Sequence, residues 1–305
     1  MKSFFKNSLF LVLLLFINGK TNAQEENISY VTTDDNVKLY TKKSGNGPLC
    51  IFIHGGPGAW SKSFEDMCGR NLEQHLTMVY YDQRGCGRSE GSKDDNYSLA
   101  RMLKDIETIR IQNNTEEVYL LAHSFGGILA TQYALTYPTH TKGVILANCT
   151  LNLKYSIANQ VQYMNELMGI KDSTADPTLL STLIQTRNTF EKKGMVHKLL
   201  SDNKENIDLL HGIDSKNPGN YSFAQKSFGI EDYLKDHTLI TNTIKTPVLV
   251  ITGKKDHAIG EKHYRSFLFP NQTVVKINGG HIVYYEQNEK FCKSVFNFIS
   301  KTNSN

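Results

Sequence analysis

The stretch Val118-Tyr119-Leu120-Leu121-Ala122-His123-Ser124-Phe125-Gly126-Gly127 decides how the rest of the chain is read. An apolar run of strand type ends at Ala122 and a helical run, 128–137, begins just beyond it, so Ser124 falls at the turn between them. The pentad Ala122-His123-Ser124-Phe125-Gly126 is a variant of the G-x-S-x-G pattern, in which a sharp strand-to-helix turn lifts a serine hydroxyl over the strand end. So tight a turn strains the serine backbone and leaves room only for small residues two positions either side. Gly126 meets that demand fully and Ala122 nearly does. The following helix N-terminus favours developing negative charge beside the hydroxyl. Taken alone, the pentad also fits a serine N-cap opening an ordinary helix.

Working outward, residues 28–33 and 37–43 alternate apolar and polar side chains around Asp34-Asp35-Asn36, the pattern of a hairpin at a sheet edge. The continuous apolar runs 49–53, 77–81, 143–147 and 247–252 suit strands covered on both faces of a parallel sheet. Run 49–53 leads into His54-Gly55-Gly56-Pro57-Gly58, where side-chain-free backbone can face a cavity. The bland alternative is a Gly/Pro-rich turn. Run 77–81 leads into Asp82-Gln83-Arg84-Gly85-Cys86-Gly87-Arg88-Ser89. This lacks the Gly-Lys-Ser/Thr order of a phosphate loop and reads as a structural loop, with Asp82 and Arg84 bonding neighbouring backbone. Residues 99–111 carry apolar side chains at helical spacing.

Strand and helix therefore alternate to residue 150, which implies right-handed crossovers and a mostly parallel, doubly wound sheet. From 151 to 240 no strand pattern is found. Helical stretches are expected near 156–168, 177–193 and 195–211, broken by Asp172-Ser173-Thr174 and by Ser215-Lys216-Asn217-Pro218-Gly219. The sheet resumes at 247–252, which runs into Gly253-Lys254-Lys255-Asp256. A helix is expected next, then a strand at 273–277 leading to Asn278-Gly279-Gly280-His281. A closing helix, roughly 287–300, presents Phe291, Val295, Phe296 and Ile299 on one face. The expected organisation is a targeting segment 1–23, a first core part 24–150, a helical insertion 151–240 and a second core part 241–305.

Composition agrees with a folded chain: 305 residues, 39% hydrophobic and 21% charged. A net charge of +4 at this length gives no reason to expect nucleic acid as a partner. Lys2 and Lys6, the apolar run 9–17 and the small residues ending at Ala23 form a secretory signal pattern, with a mature start at Gln24. The apolar core is short of the ~20 residues that span a bilayer, so no stable membrane anchor is expected. The expected location is periplasmic or secreted. Of the five cysteines, Cys50, Cys68, Cys86, Cys149 and Cys292, only Cys50 and Cys149 lie in strand-like runs and read as buried small hydrophobes, and the odd number leaves at least one unpaired. No C-x-x-C pair is present, so neither a metal site nor a cofactor is expected, and no disulfide pairing can be assigned.

Three polar residues now stand just past strand ends, in the order Ser124, Asp256, His281. Strand carboxyl ends are where open α/β sheets bind ligands. A serine becomes a nucleophile when a base takes its proton. Histidine, with an ordinary pKa of about 6.5, suits that task near neutrality, and a carboxylate holds the imidazole tautomer. Asp256 alone reads as a turn residue and His281 alone as a structural histidine; the conjunction with the glycine loop carries the argument.

On these residues the chain resembles the α/β-hydrolase superfamily and, within it, the prolyl-iminopeptidase-like group. The likeness lies in His54-Gly55-Gly56-Pro57-Gly58, in the 82–89 loop, in the Ser124 pentad, in Gly253-Lys254-Lys255-Asp256 and in Gly279-Gly280-His281. The resemblance implies that Ser124 is the nucleophile, His281 the base and Asp256 its orienting acid. The backbone N–H groups of Gly56 and Phe125 would form the oxyanion hole, and 151–240 a helical cap. It further implies that a cap carboxylate grips the substrate's α-ammonium. Glu166 is the first choice among Glu166, Glu191, Glu205 and Glu231, because it lies among the apolar Val161, Met164, Leu167 and Met168. The expected activity is cleavage of a small ester or amide bond through an acyl-enzyme, with an aminopeptidase of prolyl-iminopeptidase type as one form of it. The alternatives are a carboxylesterase or lactonase without peptidase activity, and a hydrolase-fold binder with idle chemistry. Dehalogenase or epoxide-hydrolase chemistry would want a carboxylate where Ser124 stands.

Overall fold

The computed structural model describes residues 27–171, 175–176 and 178–303. The expected targeting segment and its cleavage point before Gln24, and the break at 172–174, lie outside the described residues.

Strands β1 (Asn27–Thr32) and β2 (Lys38–Gly45) form the expected antiparallel hairpin, with Tyr30 opposite Tyr40. Strands β3 (Leu49–Ile53), β4 (Thr77–Tyr81), β5 (Val118–Ser124), β6 (Thr141–Cys149), β7 (Val248–Gly253) and β8 (Gln272–Ile277) complete the set. Among the described residues these eight strands make one sheet, in the order β1-β2-β4-β3-β5-β6-β7-β8. The hairpin joins through an antiparallel β2–β4 pair, and every later pair is parallel.

The central strands are apolar throughout because both their faces are covered. Leu120, Val144 and Val250 pack into the core on one side; their neighbours Leu121, Ile145 and Leu249 pack into the core on the other. This is the two-residue alternation of a pleated strand. Each such side chain contributes roughly 1.5–3 kcal/mol on burial. Helix Leu99–Gln112 is capped by Ser98, whose side chain accepts from the Arg101 N–H, and it buries Met102, Leu103, Ile106 and Ile109. Helix Asn288–Asn303 buries Phe291, Val295 and Ile299, with Phe298 completing the face; Phe296 is only half-buried. Among the described residues no helix is long and apolar enough to cross a membrane.

The main departures from expectation are local. The helix expected over 195–211 is split into a short turn, Val196–Leu199, and a helix, Lys204–Asp214. Ser201-Asp202-Asn203 between them compete for backbone partners, and Asn203 caps the second helix by accepting from the Glu205 N–H. The helix expected after Asp256 is only the turn His263–Ser266. Gly260 ahead of it takes a left-handed φ of 93°, and Pro270 soon follows. Arg84 scarcely uses backbone: its guanidinium is fully buried between the carboxylates of Asp105 and Asp35, which hold it firmly charged.

Candidate active site

Strand β5 ends at Ser124, and helix Gly126–Thr136 starts two residues later. The turn is tight enough to force Ser124 to a φ of +54°, a left-handed conformation that costs an L-residue energy and marks a constrained position. The need for glycine at 126 is steric: a Cβ there would lie 2.4 Å from the Ile53 carbonyl oxygen. Gly55 is equally constrained, because its Cβ would lie 2.7 Å from that of Ser124. The glycine loop is fixed to the 82–89 loop through His54, whose Nε2 accepts from the Gln83 N–H while its carbonyl accepts from Gln83 Nε2. Asp82 in turn takes the backbone N–H groups of Ser61 and Arg88 and the Arg88 guanidinium. The backbone N–H groups of Gly56 and Phe125 find no acceptor among the described residues. Both residues line the cavity that takes in Ser124.

Asp256 is fully buried just past β7. Its carboxylate lies 3.0 and 3.1 Å from His281 Nδ1 and accepts the N–H groups of Ala258 and Ile259. Burial alone would raise its pKa, but the interaction with His281 outweighs it and the net displacement is downward. An ionised carboxylate only accepts, so His281 Nδ1 carries a proton, and in the neutral ring Nε2 is the nitrogen with the lone pair. The ring of His123 packs against that of His281 at 4.6 Å, and burial pushes the His123 pKa down to about 3.

Asn148, at the end of β6, was not singled out in the sequence. Its Nδ2 donates to the carbonyl oxygens of Gly280 and His281, and its Oδ1 accepts the Gly253 N–H. One fully buried amide therefore ties the His281 loop to the strand that leads to Asp256. Its φ of 47° suits asparagine, which tolerates the left-handed region better than most residues.

Ser124 and His281 line one cavity of about 350 Å³, a volume suited to a small ligand. Its floor is apolar, with Phe52 and Phe64 stacked at 3.9 Å. Its roof comes from the 151–240 region, including Leu153, Ile157, Leu183 and Leu210. Glu166 is not part of it. The buried face of helix Leu153–Met168 runs through Ile157, Val161 and Met164. Glu166 lies off that face, exposed, accepts from Gln162 Nε2 and borders a separate depression. Among the described residues, the carboxylate that lines the cavity is Asp214, at the C-terminal end of helix Lys204–Asp214. Its Oδ1 accepts from Trp60 Nε1 at 2.8 Å and from Ser63 Oγ, while Oδ2 has no donor among the described residues.

Such an arrangement can take a proton from a hydroxyl, stabilise an oxyanion and hold a small, largely apolar acyl group near a carboxylate. A proline iminopeptidase of Saccharolobus solfataricus is 25% identical over 297 residues, spanning 88% of this chain and 89% of that relative. A proline iminopeptidase-related protein of Thermus thermophilus superposes with a TM-score of 0.73 at 21% identity, over 90% of this chain and 97% of that one. An esterase of Exiguobacterium antarcticum gives a TM-score of 0.67 at 18% identity, over 89% and 99% of the two chains. The family model for the alpha/beta hydrolase fold matches residues 48–287. The chain is thus similar to proline iminopeptidases and belongs to the α/β-hydrolase fold family.

Proposed function

We propose that this hydrolase is a serine aminopeptidase that releases the N-terminal residue of a short peptide or aminoacyl amide. The observation that carries the reading is the pairing of buried, ionised Asp256 with His281 Nδ1 on the cavity that also takes in Ser124. In the proposed reaction His281 Nε2 takes the Ser124 proton as Oγ attacks the substrate carbonyl carbon. The Gly56 and Phe125 N–H groups receive the oxyanion. The intermediate collapses as His281 protonates the leaving amine, which departs and leaves an acyl-enzyme. A water, deprotonated by His281, attacks the ester and frees the acid, and the proton returns to Ser124.

Asp214 supports the aminopeptidase over the esterase. An α-ammonium enclosed in an apolar cavity is costly unless paired, and Asp214, whose Oδ2 has no donor among the described residues, lines that cavity. The curated relatives named proline iminopeptidase are consistent with this. A second reading, a carboxylesterase or lactonase, draws on the mostly apolar lining and on the two donors that already occupy Asp214 Oδ1. The test compares aminoacyl amides with a free and an acetylated amine, in wild type and Asp214→Asn. The aminopeptidase predicts a strong preference for the free amine that Asp214→Asn removes through a raised KM. Equal turnover of both substrates replaces it with the esterase. Export through the 1–23 segment, with a mature start at Gln24, is part of the same proposal and rests on the sequence pattern alone.

A further inference from the structure

Behind the aromatic wall of the cavity, two cysteines far apart in the chain meet. The segment from Phe64 to Leu72 and the helix Asn288–Asn303 run past each other with matching contacts. Phe64 packs edge-on against Tyr284 and Phe291, at 5.0 and 6.4 Å between ring centres. One turn on, Cys68 and Cys292 fall between the Phe64–Phe291 and Asn71–Asn288 contacts, and each thiol influences the other's ionisation. Both thiols also reach the amide of Asn288, which bonds Asn71 Nδ2 at 2.5 Å. Phe64, Cys68 and Asn71 thus form one helical stripe, and Asn288, Phe291 and Cys292 the stripe facing it. Both cysteines are buried in the same core, and both are free thiols in this structure. Of the other three, Cys50 shares that core, on strand β3, while Cys86 and Cys149 are buried in the core on the other side of the sheet.

We propose that Cys68 and Cys292 are a redox pair that closes to a disulfide when the chain folds in an oxidising medium, fastening the aromatic wall of the cavity to the C-terminal helix. The oxidant is a small-molecule or protein disulfide, exemplified by oxidised glutathione. Cys292 is the thiol that ionises first, because its neighbour Cys68 favours its thiolate, whereas burial pushes Cys68 up. The Cys292 thiolate attacks a sulfur of the oxidant and expels one thiol, giving a mixed disulfide. The Cys68 sulfur then attacks Cys292 Sγ, loses its proton and expels the second thiol. Two protons and two electrons leave the pair, and the oxidant's disulfide becomes two thiols. The bond would join two positions 224 residues apart (292 − 68). A cross-link of that span restricts the unfolded chain strongly. Its near end lies next to Phe64, and its far end leads back through Tyr284 to His281, so the cavity wall and the base loop would be held by one link.

The test is independent of catalysis. The full chain is unfolded in reductant and refolded in a glutathione redox buffer, remaining thiols are alkylated after denaturation, and unreduced digests are analysed by mass spectrometry. The proposal expects one cross-linked peptide pair joining Cys68 to Cys292, two mass units lighter than the reduced pair, with Cys50, Cys86 and Cys149 all alkylated. It also expects the thermal midpoint of the oxidised wild type to lie about 5 °C above that of the reduced protein. That difference should vanish in Cys68→Ser and in Cys292→Ser. Five alkylated thiols, a stable glutathione adduct on Cys292, or a different pairing would each overturn it.

Discussion

The side-chain amide of Asn148 holds the carbonyl oxygen of His281 at 2.8 Å, from the end of the neighbouring strand. The same side chain accepts the Gly253 N–H at 2.7 Å, so the loops bearing the expected base and acid share one buried fastening. Asn148→Ala removes that fastening and leaves the Gly253 N–H unpaired, a cost of about 1–3 kcal/mol in stability. We expect kcat to fall roughly 10–100-fold with KM nearly unchanged, because the cavity lining stays while the His281 loop loses its register. Steady-state kinetics on the folded variant check this; an unchanged kcat would show that the His281 loop is held well enough without it.

Asp256→Asn should lower kcat on the order of 10⁴-fold, since a neutral amide no longer fixes the proton on His281 Nδ1. In the wild type, kcat/KM should fall tenfold per pH unit on the acid side, because the base has to be neutral to accept the serine proton. A near-normal rate in Asp256→Asn would point to another carboxylate.

Stability should decline below neutrality through histidines that are buried or, like His123, half-buried on the cavity wall. His123 has its folded pKa lowered to about 3, first by burial and then by the neighbouring His281. Unfolded, a histidine titrates near 6.5. Between those values the unfolded chain binds the extra proton. The stability is therefore full above about pH 6.5 and is lost as pH falls toward 3, at about 1.4 kcal/mol per pH unit for this one residue. Burial lowers His54, His237 and His263 as well, which steepens the loss. Urea midpoints measured between pH 5 and 7.5 should show a shallower slope for His123→Gln than for wild type; parallel slopes would contradict the assignment.

Gly126→Ala should disrupt the turn at Ser124, because the new methyl would meet the Ile53 and His54 carbonyl oxygens at 2.4 and 2.8 Å, and backbone there has no slack. A loss of about 1–3 kcal/mol is expected from the overpacking. Ala122→Gly restores the commoner residue of the pattern and should leave activity within a few-fold. Thermal melts and activity of the two variants separate the cases.

Much of this site was legible because its parts are local. Ser124, Asp256 and His281 each follow an apolar run by a few residues, so strand patterning alone places them at one edge of the sheet. The groups proposed to read the substrate and those that steady the loops are defined by distant contacts. Trp60 and Asp214 are separated by 154 residues and Asn148 and His281 by 133, and no spacing in the sequence announces either pair. Glu166 was drawn in by its apolar neighbours, yet it lies off the Ile157, Val161 and Met164 face of its helix. A buried-face count along that helix would have found this. Asp214 carried a weaker signal, a lone acid closing an amphipathic helix whose Ile207 and Leu210 turn inward.

The proposed chemistry stands or falls on Ser124. The direct measurement is labelling by a fluorophosphonate probe, followed by peptide mapping, alongside turnover of a free-amine aminoacyl amide by wild type and Ser124→Ala. The account predicts that the probe marks Ser124 alone and that folded Ser124→Ala loses both labelling and turnover, by a factor on the order of 10⁶. Labelling at another residue, or a folded Ser124→Ala that keeps more than about a tenth of the wild-type rate, where loss of a triad serine costs about 10⁶, would contradict it.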